Sequence, residues 1–563
     1  MDSRSDRLEK PDPEVTVRDD EGKKQGTDAA PWWQTGVVYQ IYPRSFQDSN
    51  GDGVGDLPGI TARLDHLATL GVDAIWVSPF YRSPMKDFGY DVSDYTDVDP
   101  LFGTLGDFDR LLAAAHERGI AMIVDWVPNH TSDQHPWFLA SRAGRDDPKR
   151  DWYVWRDAKP DGSPPNNWLS SFGGPAWSWD PRTRQHYLHS FLEEQPDLNW
   201  RNPDVRRAML GTLEFWLERG VDGFRIDVAH AVMKDPDLRD NPPAPAGSRV
   251  LHKDVGSYGT QLHLYDRGHA DTHGVYRDVR RLLDRYSGTR QRVSIGEIHL
   301  FDPADLVSYY GADLDELHMP FNFTLLSVPW SAEAVRRTVD AMEAALPRGA
   351  WPNWVLGNHD EPRVASRIGP AAARSAMLLL LTLRGTPTLY YGDELGMEDV
   401  PVPPELVQDP WGKNVPGLGL GRDPQRAPLP WDGSSNAGFT RTGVRPWLPL
   451  PPDAATRSVE AQTASPDSML ALTRSLLAMR RAHPALQRGS YRPVADAPAG
   501  VFAYQRELGR DHVLVLVNFE PSPAHVRVAG QIHRSLVSTH GAPVVRDGTC
   551  ALRSHEGVVL EMS

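Results

Sequence analysis

The chain has 563 residues, 40% of them hydrophobic and 24% charged, a composition normal for a soluble globular protein. Its formal net charge of -15 argues against nucleic acid or an anionic membrane surface as a partner. The single Cys550 excludes an intrachain disulfide and suits a reducing compartment. Neither redox chemistry nor a cysteine-ligated metal is therefore expected, and nothing in the sequence implies an organic cofactor.

Residues 1–30 are rich in Asp, Glu, Lys and Arg and have few apolar positions, which predicts a disordered tail. They lack the apolar core of a signal peptide. The longest apolar run, Ala376 to Leu383, is too short to span a bilayer. We therefore expect a cytoplasmic protein without a membrane partner.

Eight apolar, strand-like runs follow in chain order, and helical patterns separate them. The runs are Val37–Tyr42, Ala74–Ser78, Met122–Trp126, Gly223–Val228, Val293–Glu297, Glu316–Met319, Trp354–Asn358 and Thr388–Tyr391. One helical pattern, Leu111 to Gly119, ends in a glycine that is a natural C-cap. This alternation predicts an α/β fold, a (β/α)8 barrel, with its active site at the carboxyl ends of the strands.

Two long segments interrupt the alternation. Residues 131–200 are rich in Trp, Pro, Gly and Asp, lack helical periodicity and predict a subdomain inserted after the third strand. Residues 398–436 carry many Pro and Gly residues and predict a long loop over the site. The barrel is then expected in residues 31–130 and 201–470. A helix starting at Ser465-Pro466 and alternating stretches within 471–563 predict a C-terminal antiparallel β domain.

Polar residues end four of these runs. In Gly220–His230, Arg225 and Asp227 lie two residues apart, on one face of a strand. An Asp beside a permanently charged Arg is expected to keep a low pKa and to be available as a nucleophile. A structural ion pair is the alternative, since ion pairs also perturb pKa values.

The other three runs end in Glu297, in Asp360, and in Asp125 followed by Asn129 and His130. The carboxyl ends of barrel strands meet at one face, so these side chains are expected to converge. Glycoside hydrolysis needs two carboxyl groups that flank the scissile bond.

Taken in order, the four segments resemble the four signature regions of glycoside hydrolase family 13, the α-amylase family. The similarity extends over roughly the whole chain after the first thirty residues, including Gly89–Tyr95, Gln195–Trp200 and Gly385–Glu394. Within the family, the sequence is most similar to the exo-acting α-glucosidase and oligo-1,6-glucosidase branch. The resemblance implies a small oligosaccharide substrate.

By this resemblance, Asp227 is the nucleophile that forms a covalent β-glucosyl intermediate, and Glu297 is the general acid that later acts as a base. Asp360 is the third carboxylate, which bonds sugar hydroxyls. Net retention of the α-configuration follows. The Ile, His and Leu residues around Glu297 are expected to raise its pKa by desolvation.

The resemblance also implies roles in gripping the terminal glucose. His130 and His359 would donate hydrogen bonds to it, and Asp91 would pair with Arg426 to close the pocket beyond it. Tyr90 would stack on the sugar face, and Phe172 would line the same pocket. Such a pocket removes single residues from nonreducing chain ends.

One further segment favours a metal. Oxygen-bearing positions alternate along Asp48–Asp56, with a glycine where an EF-hand loop makes its sharp turn. The proposed ligands are Asp48, Asn50, Asp52, Val54 and Asp56. The twelfth position is Gly59 instead of a bidentate Glu, which departs from an EF-hand, and a polar turn is the alternative. We expect a structural Ca²⁺ remote from bond cleavage.

Specificity stays open at the level of sequence. By the resemblance, Val228 favours α-1,6 links, whereas Ala229-His230 and Asn358–Arg363 favour short α-1,4 substrates. Transglucosidases and sucrose or maltose isomerases use the same carboxylates and are an alternative, as are noncatalytic heavy chains of amino-acid transporters, which lose them. The oligomeric state is also open.

Overall fold

Eight parallel strands close into a barrel in the computed structural model, which describes residues 30–245 and 256–563. In chain order they are β1 Val38–Ile41, β2 Ala74–Val77, β3 Ala121–Trp126, β4 Gly223–Ile226, β5 Val293–Ile298, β6 Met319–Asn322, β7 Asn353–Val355 and β8 Thr386–Tyr390. Each strand pairs in parallel with the next, and β8 closes on β1. The predicted (β/α)8 barrel is confirmed.

A helix follows each strand on the outside of the barrel. These helices are α1 Leu64–Leu70, α2 Leu105–Glu117, α3 Pro203–Arg219, α4 Thr272–Tyr286, α5 Pro303–Ser308, α6 Ala332–Ala345, α7 Pro370–Thr382 and α8 Met469–Ala482. Local sequence sets their ends: a reciprocal capping box of Thr104 and Asp107 begins α2, and Gly220, at φ +103°, ends α3.

Shorter helices occupy the connections. The α-helical ones are Trp32–Thr35, Pro43–Phe46, Leu57–Ala62, Pro136–Ala143, Thr324–Ser327, Val364–Ile368, Pro410–Asn414, Ala454–Arg457, Val459–Thr463 and Pro484–Arg488. The 3-10 turns are Arg150–Trp152, Ala229–Ala231, Tyr258–Thr260, Asp393–Leu395, Pro404–Leu406 and Pro424–Arg426. Within residues 30–245 and 256–563, no helix is long and apolar enough to cross a bilayer.

Two barrel strands differ from their predicted bounds by three residues, and the other six by one or two. β6 begins at Met319, three residues later than predicted, because the amides of Glu316 and Leu317 bond the carbonyls of the turn before it. β7 ends at Val355, three residues early, because the Asn358 side chain accepts hydrogen bonds from the next amides and bends the chain.

The insertions lie over the carboxyl ends of the strands. A hairpin of Tyr81–Arg82 with Asp94–Val98 follows β2. The segment 131–200 forms helix Pro136–Ala143 and a three-stranded sheet of Trp155–Arg156, Gln185–Leu188 and Trp177–Asp180. The segment 398–436 is irregular, apart from helix Pro410–Asn414 and two 3-10 turns, and contributes side chains to the pocket below.

The C-terminal domain consists of two antiparallel sheets. The larger contains Ser490–Pro493, Val501–Leu508, Asp511–Asn518, Gly557–Met562 and Ile532–Ser538, and the smaller contains Ala524–Arg527, Thr549–Leu552 and Val544–Arg546. The predicted β domain is confirmed. Its predicted boundary at 470/471 falls inside α8, which begins at Met469 after its Ser468 cap and packs against α1 and α7. Residues 1–29 of the predicted tail lie outside the described residues.

Two buried arginines lie near the junction of the barrel and this domain, Arg480 on α8 and Arg506 on strand Val501–Leu508. The Arg480 guanidinium donates to the carbonyls of Leu381, Gly385 and Leu486 at 2.7–3.1 Å. Arg506 bonds the carbonyls of Thr382, Gly489 and Ser490. Both side chains are buried and satisfy carbonyls of buried residues, apart from that of the exposed Ser490.

We predict that Arg480→Met lowers the free energy of unfolding by about 3 kcal/mol, because three buried carbonyls lose their donors while the apolar stem is kept. Thermal unfolding measures the effect. Arg510→Met, at an exposed turn, is the matched control and is expected to change little. An Arg480→Met protein that melts with the control would contradict the prediction.

Candidate active site

One guanidinium contacts three carboxylates at the carboxyl end of the barrel. Arg225 Nη1 lies 2.8 Å from Asp227 Oδ1 and 2.9 Å from Asp125 Oδ1. Its Nη2 lies 2.6 Å from Glu297 Oε2. Arg225 is on β4, Asp125 on β3 and Glu297 on β5, so three adjacent parallel strands deliver the cluster. The predicted convergence of these side chains is confirmed.

A hydrogen-bond chain ties the cluster to the far side of the barrel. Gln40 Nε2, on β1, donates to His359 Nδ1 at 2.8 Å, which leaves His359 Nε2 as the donor to the Tyr90 hydroxyl at 2.7 Å. That hydroxyl donates to Asp125 Oδ2 at 3.2 Å. The chain fixes the His359 tautomer and orients the carboxylate behind Arg225.

The turn after β4 is strained and faces the second carboxylate. Val228 has φ +35° and ψ +48°, the left-handed region that a β-branched residue rarely adopts. This conformation directs its N–H to Glu297 Oε2 at 2.9 Å. Strain of this kind persists only where surrounding contacts impose it, and it is concentrated at functional sites.

The protonation of the cluster differs from the sequence-based expectation. Burial raises the pKa of Asp227 well above its usual range and that of Asp125 to about 6, against the opposing effect of Arg225. Burial also raises the pKa of Glu297, but Arg225 and His299 outweigh it, and the net pKa is lowered. The pKa directions of Asp227 and Glu297 are therefore the reverse of those expected from the sequence. One positive charge cannot offset three buried carboxylates, so the cluster retains a proton.

Asp360 belongs to a second cluster, across the pocket. Its Oδ1 lies 3.1 Å from Arg422 Nη1 and 2.9 Å from Arg426 Nη2. Arg422 Nη2 also contacts Asp87 Oδ1 at 2.5 Å and Asp409 Oδ1 at 2.7 Å. Two guanidinium groups thus hold three carboxylates, of which Asp87 and Asp360 line the pocket.

The predicted pair of Asp91 and Arg426 is wrong. Asp91 is fully buried outside the pocket and accepts hydrogen bonds from the amides of Lys86 and Asp87 and from Ser83 Oγ. Phe88 and Gly89, both at positive φ, turn the chain so that Asp87 faces the pocket instead. Arg426 lies behind Asp360. The pair that the structure forms is Asp87 with Arg422.

Aromatic rings complete the end of the pocket. The Phe172 ring stacks on Trp411, with centroids 4.6 Å apart, and the Arg422 guanidinium lies 4.9 Å from the Trp411 ring. Phe191, which the sequence analysis missed, lies on the same wall. Tyr90 lines the pocket as predicted, and its ring is parallel to that of His359.

Both predicted histidines are neutral. Burial lowers the pKa of His130 to about 4 and that of His359 to about 3. His130 lines the pocket and bonds the Tyr90 carbonyl through Nε2. His359 and Arg225 lie directly behind the lining and act on it through Tyr90 and the carboxylates.

The pocket is also lined by residues that the sequence analysis did not name as site residues. They are His230, Ala231, Tyr258, Asp266, Arg267 and His299. His299 Nε2 contacts Glu297 Oε1 at 2.8 Å. Its position, two residues after Glu297 on the same strand face, is the signal that could have identified it.

The loop proposed to hold a metal is held by its own hydrogen bonds. Asp48 accepts from the amides of Gly51 and Gly53, and Asp56 from those of Ser49 and Gly59. Asp48 and Asp56 are buried, and neither takes part in an ion pair with another described residue. Within the described ranges, no group of three or more His, Cys, Asp or Glu side chains is arranged to hold a metal. A cation here would depend on the oxygens of Asn50 and Val54 as well, a donor set that suits Ca²⁺.

Comparison with known proteins places this geometry in a family. The profile of the alpha amylase catalytic domain matches residues 40–489. A probable alpha-glucosidase of Rhizobium meliloti (strain 1021) is 43% identical over 502 residues, which cover 88% of this chain and 90% of the relative. An oligo-1,6-glucosidase of Parageobacillus thermoglucosidasius is 37% identical, covering 89% of this chain and 92% of the relative.

Solved structures agree with these relatives. The crystal structure of the alpha-glucosyl transfer enzyme XgtA matches with a TM-score of 0.90 at 44% identity, covering 95% of this chain and 100% of that chain. The family match, the barrel and the relatives named as glucosidases all concern the same span of sequence. The chain therefore belongs to the α-amylase family, glycoside hydrolase family 13, and is a glycoside hydrolase.

Proposed function

We propose that the protein is a retaining, exo-acting α-glucosidase that removes terminal nonreducing glucose from short oligosaccharides, with α-1,4 links favoured over α-1,6 links. The observation that carries the proposal is the Arg225 guanidinium, which holds Asp227 and Glu297 on its two terminal nitrogens. Retaining enzymes need two carboxyl groups only about 5–5.5 Å apart, and a shared guanidinium favours such closeness.

In the first step, an Asp227 oxygen attacks the anomeric carbon while Glu297 gives its proton to the departing glycosidic oxygen. In the second, Glu297 takes a proton from water, whose oxygen displaces Asp227. Asp360 would bond hydroxyl groups of the same sugar, held for that task by Arg422 and Arg426. No organic cofactor takes part.

The retained proton must move from an aspartate to Glu297 before the first step. Arg225, Val228 N–H and His299 all stabilise an ionised Glu297, so the retained proton favours an aspartate. A sugar that displaces water adjacent to Asp227 and moves Glu297 away from Arg225 would shift that proton to Glu297. Glu297 would then carry the proton only when substrate is bound.

Exo-action is supported by the closed end of the pocket. Asp87 and Arg422 lie beyond Asp360, backed by the stacked rings of Phe172 and Trp411. We infer that these groups bond the hydroxyls of one terminal glucose and limit the pocket to that residue.

A second candidate is an α-transglucosidase or a sucrose or maltose isomerase on the same machinery. The similarity to an alpha-glucosyl transfer enzyme at 44% identity favours it. The two functions share every step up to the covalent intermediate and differ in whether water or a sugar accepts the glucosyl group. The acceptor end of the pocket, between His299 and Tyr258, decides this partition.

Two further parts of the proposal lie away from catalysis. A structural Ca²⁺ would bind Asp48, Asn50, Asp52, Val54 and Asp56 and neutralise two buried carboxylates. A cytoplasmic location is supported by the lone, buried Cys550.

Product analysis tests the function. Purified protein is incubated with equal amounts of maltose, isomaltose, sucrose and trehalose, and free glucose and new disaccharides are followed together. We expect free glucose, mainly from maltose, and none from the Asp227→Asn variant. New disaccharides without matching glucose would favour the transglucosidase. No reaction with any substrate, aryl α-glucosides included, would contradict the proposal.

The closed end of the pocket yields a paired prediction. Asp87→Asn is expected to raise KM for maltose by about tenfold or more, because a charged partner of Arg422 and a sugar-facing oxygen are lost. Asp91→Asn is the matched control: it is expected to lower the melting temperature and to leave KM nearly unchanged. The assignment fails if the two variants exchange these effects.

Removal of calcium tests the loop. Adding EDTA is expected to lower the melting temperature by several degrees, since a ligand present at 100 times its Kd stabilises by about 2.7 kcal/mol. Asp52→Ala, at an exposed ligand position, should abolish the difference between EDTA and added Ca²⁺. Equal melting temperatures for the original protein in both conditions would exclude the site.

A further inference from the structure

The two oxygens of Glu297 have different environments. Oε2 accepts from Arg225 Nη2 at 2.6 Å and from Val228 N–H at 2.9 Å. Both groups keep their hydrogens at ordinary pH and direct them at Oε2. A proton bound to Oε2 would therefore clash with these donors. Oε1 contacts only His299 Nε2, at 2.8 Å, among the described residues.

A proton on Glu297 must therefore sit on Oε1, facing His299. If His299 carries hydrogen on Nε2, it donates to Oε1 and favours the ionised carboxylate. If Nε2 carries a lone pair instead of a hydrogen, it accepts a hydrogen bond from protonated Glu297. The hydrogen on His299 thus decides which form of Glu297 is stabilised.

The surroundings of His299 select between these forms. Its Nδ1 is buried and has no hydrogen-bond partner among the described residues. A hydrogen on Nδ1 would be an unpaired buried donor, so the ring keeps its hydrogen on Nε2. The ring is held by Phe323, stacked at 4.8 Å and 6°, and its side chain is 18% exposed.

We propose that His299 is a positioning residue that holds Glu297 through Oε1 and sets when this carboxyl group carries its proton. The inference rests on the proposed acid and base role of Glu297. His299 transfers no proton in either step. It favours the ionised form, which the second step needs, and it must release Oε1 for the first.

Other charged and titratable groups also face Glu297, and their effects are common to all variants of His299. They are Arg225 and Asp227 on β4 and its turn, Asp125 on β3, Asp360 after β7, and His230 and Arg267 from the segment after β4. Because they stay in place, a change confined to His299 isolates its hydrogen bond.

The test is the pH profile of kcat for maltose, whose alkaline limb reports loss of the acid's proton in the enzyme–substrate complex. His299→Phe keeps the stack on Phe323 and removes the donor. Without the donor, the ionised form loses stabilisation, so the limb is expected to move up by about one pH unit. His299→Gln keeps an N–H donor and is expected to leave the limb near its original position.

Melting temperatures establish that each variant is folded. If phenylalanine does not fit, His299→Leu is a second variant that removes the Nε2–H donor. An alkaline limb that is unmoved in the folded Phe or Leu variant, or that moves equally in the Gln variant, overturns the proposal. The Glu297→Gln variant distinguishes a failure of the proposed function from a failure of the role assigned to His299. If it retains activity toward maltose, the proposed function itself fails. If it loses that activity and the limb does not respond to His299, only the role of His299 fails.

Discussion

The structure of the site depends on one guanidinium shared by three buried carboxylates. Arg225 lies on β4, between Asp125 of β3 and Glu297 of β5, with Asp227 two residues later, in the turn that follows β4. Without this charge the carboxylates would repel one another in a site largely closed to water. With it, the three carboxylates converge, but one guanidinium neutralises only one of their negative charges. The cluster therefore binds a proton, which acid–base chemistry at a glycosidic bond requires.

The barrel strands bring the carboxylates together, and the segments that connect the strands form the walls of the sugar pocket. Parallel strands present their carboxyl ends at one face, so residues far apart in sequence meet there. The hairpin after β2 brings Asp87 and Tyr90, the segment 131–200 brings Phe172, and the segment 398–436 brings Trp411 and Arg422. These irregular segments form the walls that decide which sugar fits and what accepts it, whereas the strands carry the reaction.

Much of this could be predicted from the sequence, for identifiable reasons. Apolar runs and their polar ends located all eight barrel strands and the carboxylates, since strand burial and active-site placement follow simple periodicity. Loop geometry could not be read in the same way. Asp87 and Asp91, and likewise Arg422 and Arg426, stand four residues apart, and only the positive φ of Phe88 and Gly89 brings Asp87 into the pocket. The directions of the pKa shifts of Asp227 and Glu297 could not be predicted from the sequence either, because they depend on how many carboxylates share Arg225.

The stereochemistry of the first product tests the central claim most directly. Proton NMR during the first minutes of aryl α-glucoside hydrolysis distinguishes the anomers of the released glucose before they interconvert. A guanidinium that holds Asp227 and Glu297 together predicts a covalent intermediate and therefore α-glucose first. β-Glucose as the first product would mean direct attack by water, and would contradict the account of the site.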